Sequence, residues 1–244
     1  MLYTPSEVLE LQERAWQLQA GGRLDDALAA ASRALEAVER TDGPESIDAA
    51  NVLNDLAEIE MERRNLSAAL DLAQRAHAIE KKRAHLFKTD TRSRICLKTL
   101  ELLGILHQTL EDYVQAEAEF IEGLTLARRI FGNASCEAAL GRNNLGGLYN
   151  QQGRFAESLS LLCRALYPMI SMHGEDSPGA RSVYHNLAAL LYARRDYRAA
   201  EESARKAWRI SVRLLGEDHP QTRIEETIYA GILNDLRRHL DFDS

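Results

Sequence analysis

Several residues of this sequence have types that catalysis uses, but they lack the companions that catalysis needs. Ser203-Ala-Arg-Lys206 matches the Ser-x-x-Lys pattern of acyl-serine enzymes, yet neither Ser-Asp-Asn nor Lys-Thr-Gly accompanies it. The seven histidines include no His-x-x-x-His pair. Cys96, Cys136 and Cys163 have spacings that match no zinc or redox motif. The sequence therefore predicts no enzyme active site, no metal site and no cofactor.

Amide and carboxylate side chains offer binding chemistry instead. An amide provides both a donor and an acceptor, the pair needed to hold the main chain of an extended peptide. Such side chains, with one histidine, cluster in the second half of the sequence, at Asn143, Asn144, Gln151, His185 and Asn186. In the first half, three carboxylates follow one another at helical spacings of three and four, at Asp55, Glu58 and Glu62. That spacing predicts an acidic face that attracts Lys or Arg.

The composition limits the class of fold and of partner. The chain has 244 residues, of which 45% are hydrophobic and only 6% are aromatic. Ala, Leu, Glu and Arg recur throughout, which favours an all-α fold. The formal net charge of −7 argues against nucleic acid as a partner. Neither a membrane-spanning run nor a secretory signal is recognisable, so we expect a cytoplasmic protein without a membrane partner.

A repeat organises the whole chain. Five similar segments are anchored at Leu24, Leu66, Tyr113, Phe155 and Tyr197, which are separated by 42, 47, 42 and 42 residues. We number each repeat so that its anchor is place 17. Places 8, 20 and 27 then hold small residues in all five repeats, which predicts buried crossing points between closely packed helices.

This pattern of small residues around a large apolar anchor resembles the tetratricopeptide repeat. The linker Leu214-Leu-Gly-Glu-Asp-His-Pro-Gln-Thr222, echoed from Met172, is similar to the 42-residue kinesin-light-chain variety and its bacterial relatives. The resemblance implies a right-handed superhelical α-solenoid of about five hairpins plus a C-terminal capping helix. We predict a single domain over 1–244, with repeats at about 5–46, 47–93, 94–135, 136–177 and 178–219 and the capping helix at 220–240.

The resemblance also implies where a ligand binds, because the first helices of such repeats line a concave groove. Residues at places 2, 5, 6, 9 and 13 are expected to point into that groove. We therefore predict a peptide-binding set at Trp16, Asp55, Glu58, Glu62, Asn143, Asn144, Gln151, His185 and Asn186. Exposed polar residues on a solvated helix are the simpler interpretation of the same pattern.

The five extra residues between repeats 2 and 3 fall in a basic segment. Six cations lie between Lys81 and Arg94, at Lys81, Lys82, Arg83, Lys88, Arg92 and Arg94. The segment could recognise an acidic partner or anionic lipid, although a solvated helix extension explains such a run more simply.

Three functions remain open at this point. The leading hypothesis is an adaptor that binds a protein or peptide segment, with a basic part, in the concave groove. The second is a regulatory subunit or peptide-sensing regulator that controls a partner enzyme or transcription factor. The third is a scaffold that self-associates into a homo-oligomer. A fold of this kind does not by itself name a function.

Overall fold

The computed structural model describes residues 5–83 and 90–242. Over these residues the chain forms eleven α-helices and no strand, which confirms the all-α class. The helices are α1 Pro5–Ala20, α2 Leu24–Thr41, α3 Ile47–Glu62, α4 Leu66–Lys82, α5 Asp90–Thr109, α6 Tyr113–Ile130, α7 Cys136–Gln151, α8 Phe155–His173, α9 Pro178–Ala193, α10 Tyr197–Leu215 and α11 Pro220–Phe242. Odd-numbered helices are called A helices, and even-numbered helices are called B helices.

The helices are distributed over two compact units. Unit 1 is Met1–Leu126 and unit 2 is Ala127–Ser244. Within unit 1, α1 pairs with α2 and α3 with α4, while α5 packs on both α3 and α4. Within unit 2, α7 pairs with α8, α9 with α10, and α11 packs on α10. The single-domain organisation stays a prediction.

The same turn joins every A helix to its B helix. The backbone φ is positive at place 15 of all five repeats, at Gly22, Arg64, Glu111, Gly153 and Arg195. In each case the next residue donates its N–H to a carbonyl five residues earlier, at 2.8–2.9 Å. This pairing is the Schellman motif, which ends a helix with one left-handed residue. The turn therefore sets where α1, α3, α5, α7 and α9 end, with or without glycine at place 15.

Serine begins three of the A helices. The side-chain oxygens of Ser46, Ser135 and Ser177 accept hydrogen bonds from the backbone N–H three residues ahead, at 3.1, 3.1 and 3.3 Å. These bonds satisfy N–H groups that have no partner within the helix. The serines thus fix where α3, α7 and α9 start.

The small residues lie where the repeat pattern predicted. All those at places 8, 20 and 27 are buried except Gly123, which is half-buried. Larger side chains such as Leu53, Leu148 and Leu190 fill the space around these crossing points and are fully buried. The prediction of close helix contacts at these places is confirmed.

Place 8 is also matched to place 24 across each hairpin. A Cβ added to Gly104 would lie 2.3 Å from the Phe120 ring, and one added to Gly146 would lie 2.8 Å from Leu162. In the other three repeats both places are alanine, as in the buried pair Ala188 and Ala204. Glycine therefore occurs at place 8 only where a bulky residue faces it.

The last helix completes the packing of unit 2. Ile232 of α11 is buried in a cluster with Ala188, Ala200 and Ala204. The rings of Trp208 and Tyr229 stack with centroids 5.4 Å apart. Trp208 of α10 thus packs against α11.

Candidate peptide-binding faces

In unit 1 an exposed tryptophan lies between two hydrogen-bonded bridges. Gln12 Nε2 of α1 donates to Asp55 Oδ2 of α3 at 3.3 Å, and Gln19 Nε2 donates to Glu62 Oε1 at 2.9 Å. Trp16 lies on α1 one turn from each glutamine and is 69% exposed. We call the surface formed by Leu9, Trp16, Asp55, Glu58 and Glu62 the Trp face.

Lys98 of α5 partly neutralises the Trp face. Its Nζ lies 2.8 Å from Asp55 Oδ1 and 3.0 Å from Glu58 Oε2. Burial opposes the charge on Lys98, but the two carboxylates outweigh it and raise the pKa of Lys98. Burial raises the pKa of Glu58 despite the opposing effect of Lys98. The Trp face remains net negative, because it has three carboxylates and one ammonium group.

Sequence reasoning missed Lys98 and Leu9. Both occupy place 2, which was expected to face the groove, but the predicted peptide-binding set named no residue there. Lys98 follows Asp55 by 43 residues, so a cation at place 2 beside an acid at place 6 of the preceding repeat was a usable signal. Leu9 is 66% exposed, seven residues before Trp16 on α1.

A pocket opens beside Leu9 in unit 1. Its volume is ≈ 230 Å³, and it is lined by residues of α1, α2 and α3 with their connecting segment: Val8, Leu9, Gln12, Val38, Thr41, Asp42, Asp48 and Asn51. Apolar groups from Val8 and Val38 are combined there with the carboxylates of Asp42 and Asp48. This combination suits a side chain with an aliphatic stem and a cationic head.

Deeper in unit 1, a buried polar network joins α3, α4 and α5. Asn54 Nδ2 donates to Thr99 Oγ1 at 2.7 Å, and Thr99 Oγ1 donates to Glu80 Oε1 at 2.6 Å. All three side chains are almost fully buried. Asn54 occupies place 5, so this place holds neighbouring repeats together here rather than facing a ligand.

The amides of unit 2 bond to one another. Asn186 Nδ2 donates to Asn143 Oδ1 at 3.0 Å, and Asn143 Nδ2 donates to Ser182 Oγ at 3.1 Å. Asn143 is only 2% exposed. The expectation that Asn143 points into a groove is therefore corrected, because its amide is enclosed between α7 and α9. Asn143 instead orients Asn186, which is half-buried.

The remaining predicted residues of α7 lie nearer the surface. Asn144 is half-buried and Gln151 is exposed, and each makes interactions within the protein. We call Asn144, Gln151 and Asn186 the amide face of unit 2. Gly147 borders it, and a Cβ added there would meet the Asn186 amide at 3.5 Å.

His185 takes part in a charged cluster rather than in the amide face. Its Nδ1 lies 3.0 Å from Glu225 Oε2 of α11, and Arg181 Nη1 lies 3.2 Å from Glu225 Oε1. Glu225 is 1% exposed. Burial opposes ionisation of Glu225, but His185 and Arg181 outweigh it and lower the pKa of Glu225.

Neither a metal-binding cluster nor a membrane-spanning helix occurs in the described part of the chain. No three His, Cys, Asp or Glu residues there are grouped so that they could hold a metal ion. His107 Nδ1 lies 2.8 Å from Glu119 Oε2, as expected for a histidine satisfied within the protein. None of the described helices has the length and apolarity required to cross a membrane.

The family is defined by sequence comparison. Tetratricopeptide-repeat models match residues 8–82, 96–167 and 181–221. The chain therefore belongs to the tetratricopeptide-repeat family, whose members are typically interaction modules rather than enzymes. No curated protein matches it significantly.

Several solved structures share the fold of this chain. BtubC (BKLC) from P. vanneervenii is 23% identical, with a TM-score of 0.67 over 88% of this chain and 85% of that one. A kinesin-light-chain-type protein of P. anserina with nearly identical TPR-like repeats is 16% identical, with a TM-score of 0.66 over 87% and 98%. A thermophilic TPR protein from Thermus thermophilus is 17% identical, with a TM-score of 0.60 over 93% and 98%. These likenesses establish the fold, an α-solenoid of helical hairpins.

Proposed function

We propose that this protein is an adaptor that binds a polypeptide segment of a partner on the exposed faces of its A helices. The observation that carries the proposal is Trp16, which is 69% exposed beside the carboxylates of α3. A large aromatic ring in water loses the free energy that burial would provide. Tryptophan at a protein surface is characteristic of binding hot spots.

The Trp face supports a segment with both apolar and basic residues. Its apolar groups, Leu9 and Trp16, offer contact area, while Asp55, Glu58 and Glu62 attract cations. A Lys or Arg side chain over the Trp16 ring would gain a cation–π contact. The pocket beside Leu9 accepts a second such side chain, with its stem against Val8 and Val38.

The amide face of unit 2 supports contact with a neutral stretch of main chain. An amide bonds equally well to a backbone N–H or C=O, and these bonds do not depend on the partner's side chains. Asn186 is held by Asn143, so its orientation is fixed before a ligand arrives. Such preorganisation reduces the entropy lost on binding.

The test is selection of peptides from a random library on the immobilised protein, followed by calorimetry with the recovered peptides. We expect sequences that combine Lys or Arg with apolar residues. Trp16→Ala is expected to weaken binding by about 30-fold, the factor that corresponds to a hot spot of about 2 kcal/mol. Glu62→Gln is expected to weaken it mainly at low salt, because screening already suppresses that attraction at high salt.

Tyr167→Ala is the matched control, because Tyr167 is an equally exposed aromatic residue on the B helix α8. It is expected to bind like the parent. Equal affinities for the parent and Trp16→Ala would show that the Trp face is not the binding surface. Loss of binding in Asn144→Ala with Asn186→Ala at every salt concentration would assign the main-chain contact to the amide face.

A further inference from the structure

Helix α10 has an unusually basic outer side. Between Tyr197 and Leu215 it contains five basic and two acidic residues, whereas α2 between Leu24 and Thr41 contains two basic and four acidic residues. At about 100° per residue, the five basic residues fall within a sector of about 100°. All five are exposed: Arg198, Arg205, Lys206, Arg209 and Arg213. We call this surface the basic face.

Two of these cations have no acidic partner among the residues that the structure describes. Three are paired within unit 2: Lys206 with Glu202 at 3.0 Å, Arg205 with Glu201 at 3.4 Å, and Arg213 with Asp176. Arg198 and Arg209 form no ion pair with any residue that the structure describes. They are eleven residues apart, about 16 Å along the helix, which an extended chain spans in about five residues.

A pocket lies beside Arg209. Its volume is ≈ 190 Å³, and its lining comprises Glu175, Asp176, Tyr184, Lys206, Arg209, Ile210 and Arg213. Lys206 Nζ lies 5.2 Å from the centroid of the Tyr184 ring, so this ring forms an apolar wall beside the cations. The pocket is large enough for the end of one side chain. The guanidinium group of Arg209, which is not paired with any described residue, lines the pocket and can bind that side chain.

We propose that the basic face binds an acidic segment of a partner protein. A Glu or Asp side chain of that segment enters the pocket and accepts two parallel hydrogen bonds from the Arg209 guanidinium group. A second carboxylate, about five residues away in an extended segment, meets Arg198. This interaction is independent of the peptide proposed for the A helices, because it uses a B helix and the opposite charge.

Charge distribution favours an acidic polypeptide over other anions. Nucleic acid presents a continuous row of phosphates, which would face Glu201 and Glu202 of α10 as well as the arginines. An anionic membrane would approach as a plane, yet Glu175, Asp176 and Glu202 lie among the cations and would face the same lipid charges. A flexible segment can place its carboxylates at Arg198 and Arg209 alone.

The experiment measures fluorescence anisotropy of a labelled peptide of about eight glutamates, long enough to span both arginines. Arg198→Glu with Arg209→Glu is expected to weaken binding at least tenfold, because two attractions become repulsions. Neither substitution breaks an ion pair within the described residues, so we expect the fold to be preserved. Arg14→Glu with Arg33→Glu is the control, because these two exposed arginines of unit 1 undergo the same charge change.

Loss of binding confined to the α10 variant, and weaker binding at high salt, would support the proposal. Equal affinity of the α10 variant and the parent would overturn it. Tighter binding of duplex DNA or phosphatidylserine vesicles than of the peptide would also overturn it, since phosphate groups would then be the preferred ligands of the basic face. A salt-sensitive dimer of the parent in sedimentation, absent in the α10 variant, would instead assign the face to a second copy of the chain.

Discussion

Bonds between successive A helices differ in chemistry between the two units. In unit 1 they are mostly ionic or join an amide to a carboxylate, as in Gln12 with Asp55 and Lys98 with Asp55. In unit 2 the amides bond to one another, and the buried carboxylate of Glu225 on α11 contacts both Arg181 and His185. The same places of the repeat thus form different bonds in the two units.

The difference shows that polar residues on A helices have two uses. Asn54 and Asn143 both occupy place 5, and both are enclosed between helices. Trp16 and Glu62, at places 9 and 13, remain exposed at the surface of unit 1. A polar residue at an inward place therefore marks a ligand contact only if its neighbours leave it accessible.

The largest effect is expected for the buried network of unit 1. Thr99→Val keeps the side-chain shape but leaves Asn54 and Glu80 without their partner, which should lower the free energy of unfolding by about 3 kcal/mol. In unit 2, Ser182→Ala removes the acceptor of Asn143 at a half-buried site, where water can replace it, and should cost less than about 1 kcal/mol. Urea denaturation measures both. Equal losses of unfolding free energy in Thr99→Val and Ser182→Ala would contradict the distinction between the polar networks of the two units.

The second-largest loss of stability is expected from overpacking at place 8. Gly104→Ala places a Cβ 2.3 Å from the Phe120 ring and should cost about 2–3 kcal/mol, more than Gly146→Ala against the flexible Leu162 in unit 2. Gly147→Ala is the control, because its Cβ meets only ordinary contacts and alanine favours the helix by about 0.5–1 kcal/mol. A destabilised Gly147→Ala would show that helix propensity is not the governing term. Thermal unfolding followed by circular dichroism resolves these changes.

Opposite pH dependence is expected for two carboxylates. The pKa of Glu225 is lowered in the folded protein. Its contribution to the free energy of unfolding is therefore present above the unfolded-state pKa of about 4.3 and is lost as the pH falls through the folded-state pKa. Glu225→Gln should therefore cost about 2 kcal/mol at pH 7, with the difference from the parent disappearing in acid.

Glu58 in unit 1 supplies the contrast, because its pKa is raised. The contribution of Glu58 to the free energy of unfolding is present below the unfolded-state pKa and is lost as the pH rises through the folded-state pKa. Glu58→Gln should consequently be at least as stable as the parent at neutral pH. Denaturation of both variants across the acid range would reveal any departure from these opposite signs.

The smallest effect concerns the turns at place 15. Glu111 adopts a left-handed conformation that Gly153 adopts in unit 2. Glu111→Gly should stabilise by about 0.5–1 kcal/mol, and Gly153→Ala should destabilise by about 1 kcal/mol. Changes of the same sign in calorimetric melting temperature would mean that backbone strain does not control these turns.

Much of the fold could be predicted from the sequence because its determinants are local or periodic. The recurrence of Leu24, Leu66 and Tyr113 with the later anchors indicated the paired helices, and small residues at places 8, 20 and 27 indicated where they cross. The match between glycine at place 8 and a bulky residue at place 24 was also present in the sequence. These features recur from repeat to repeat, so the pattern in one repeat supports the interpretation of the next.

The candidate site was predictable only in part. The residue types and their inward places followed from the repeat, and Trp16 is indeed exposed. Tertiary structure decided which of these side chains bond to the neighbouring A helix, as Asn143 does with Asn186 and Asp55 with Lys98. Such bonds join residues about 40 positions apart and depend on helix spacing and rotamer to within a few tenths of an ångström, which the order of residue types does not specify.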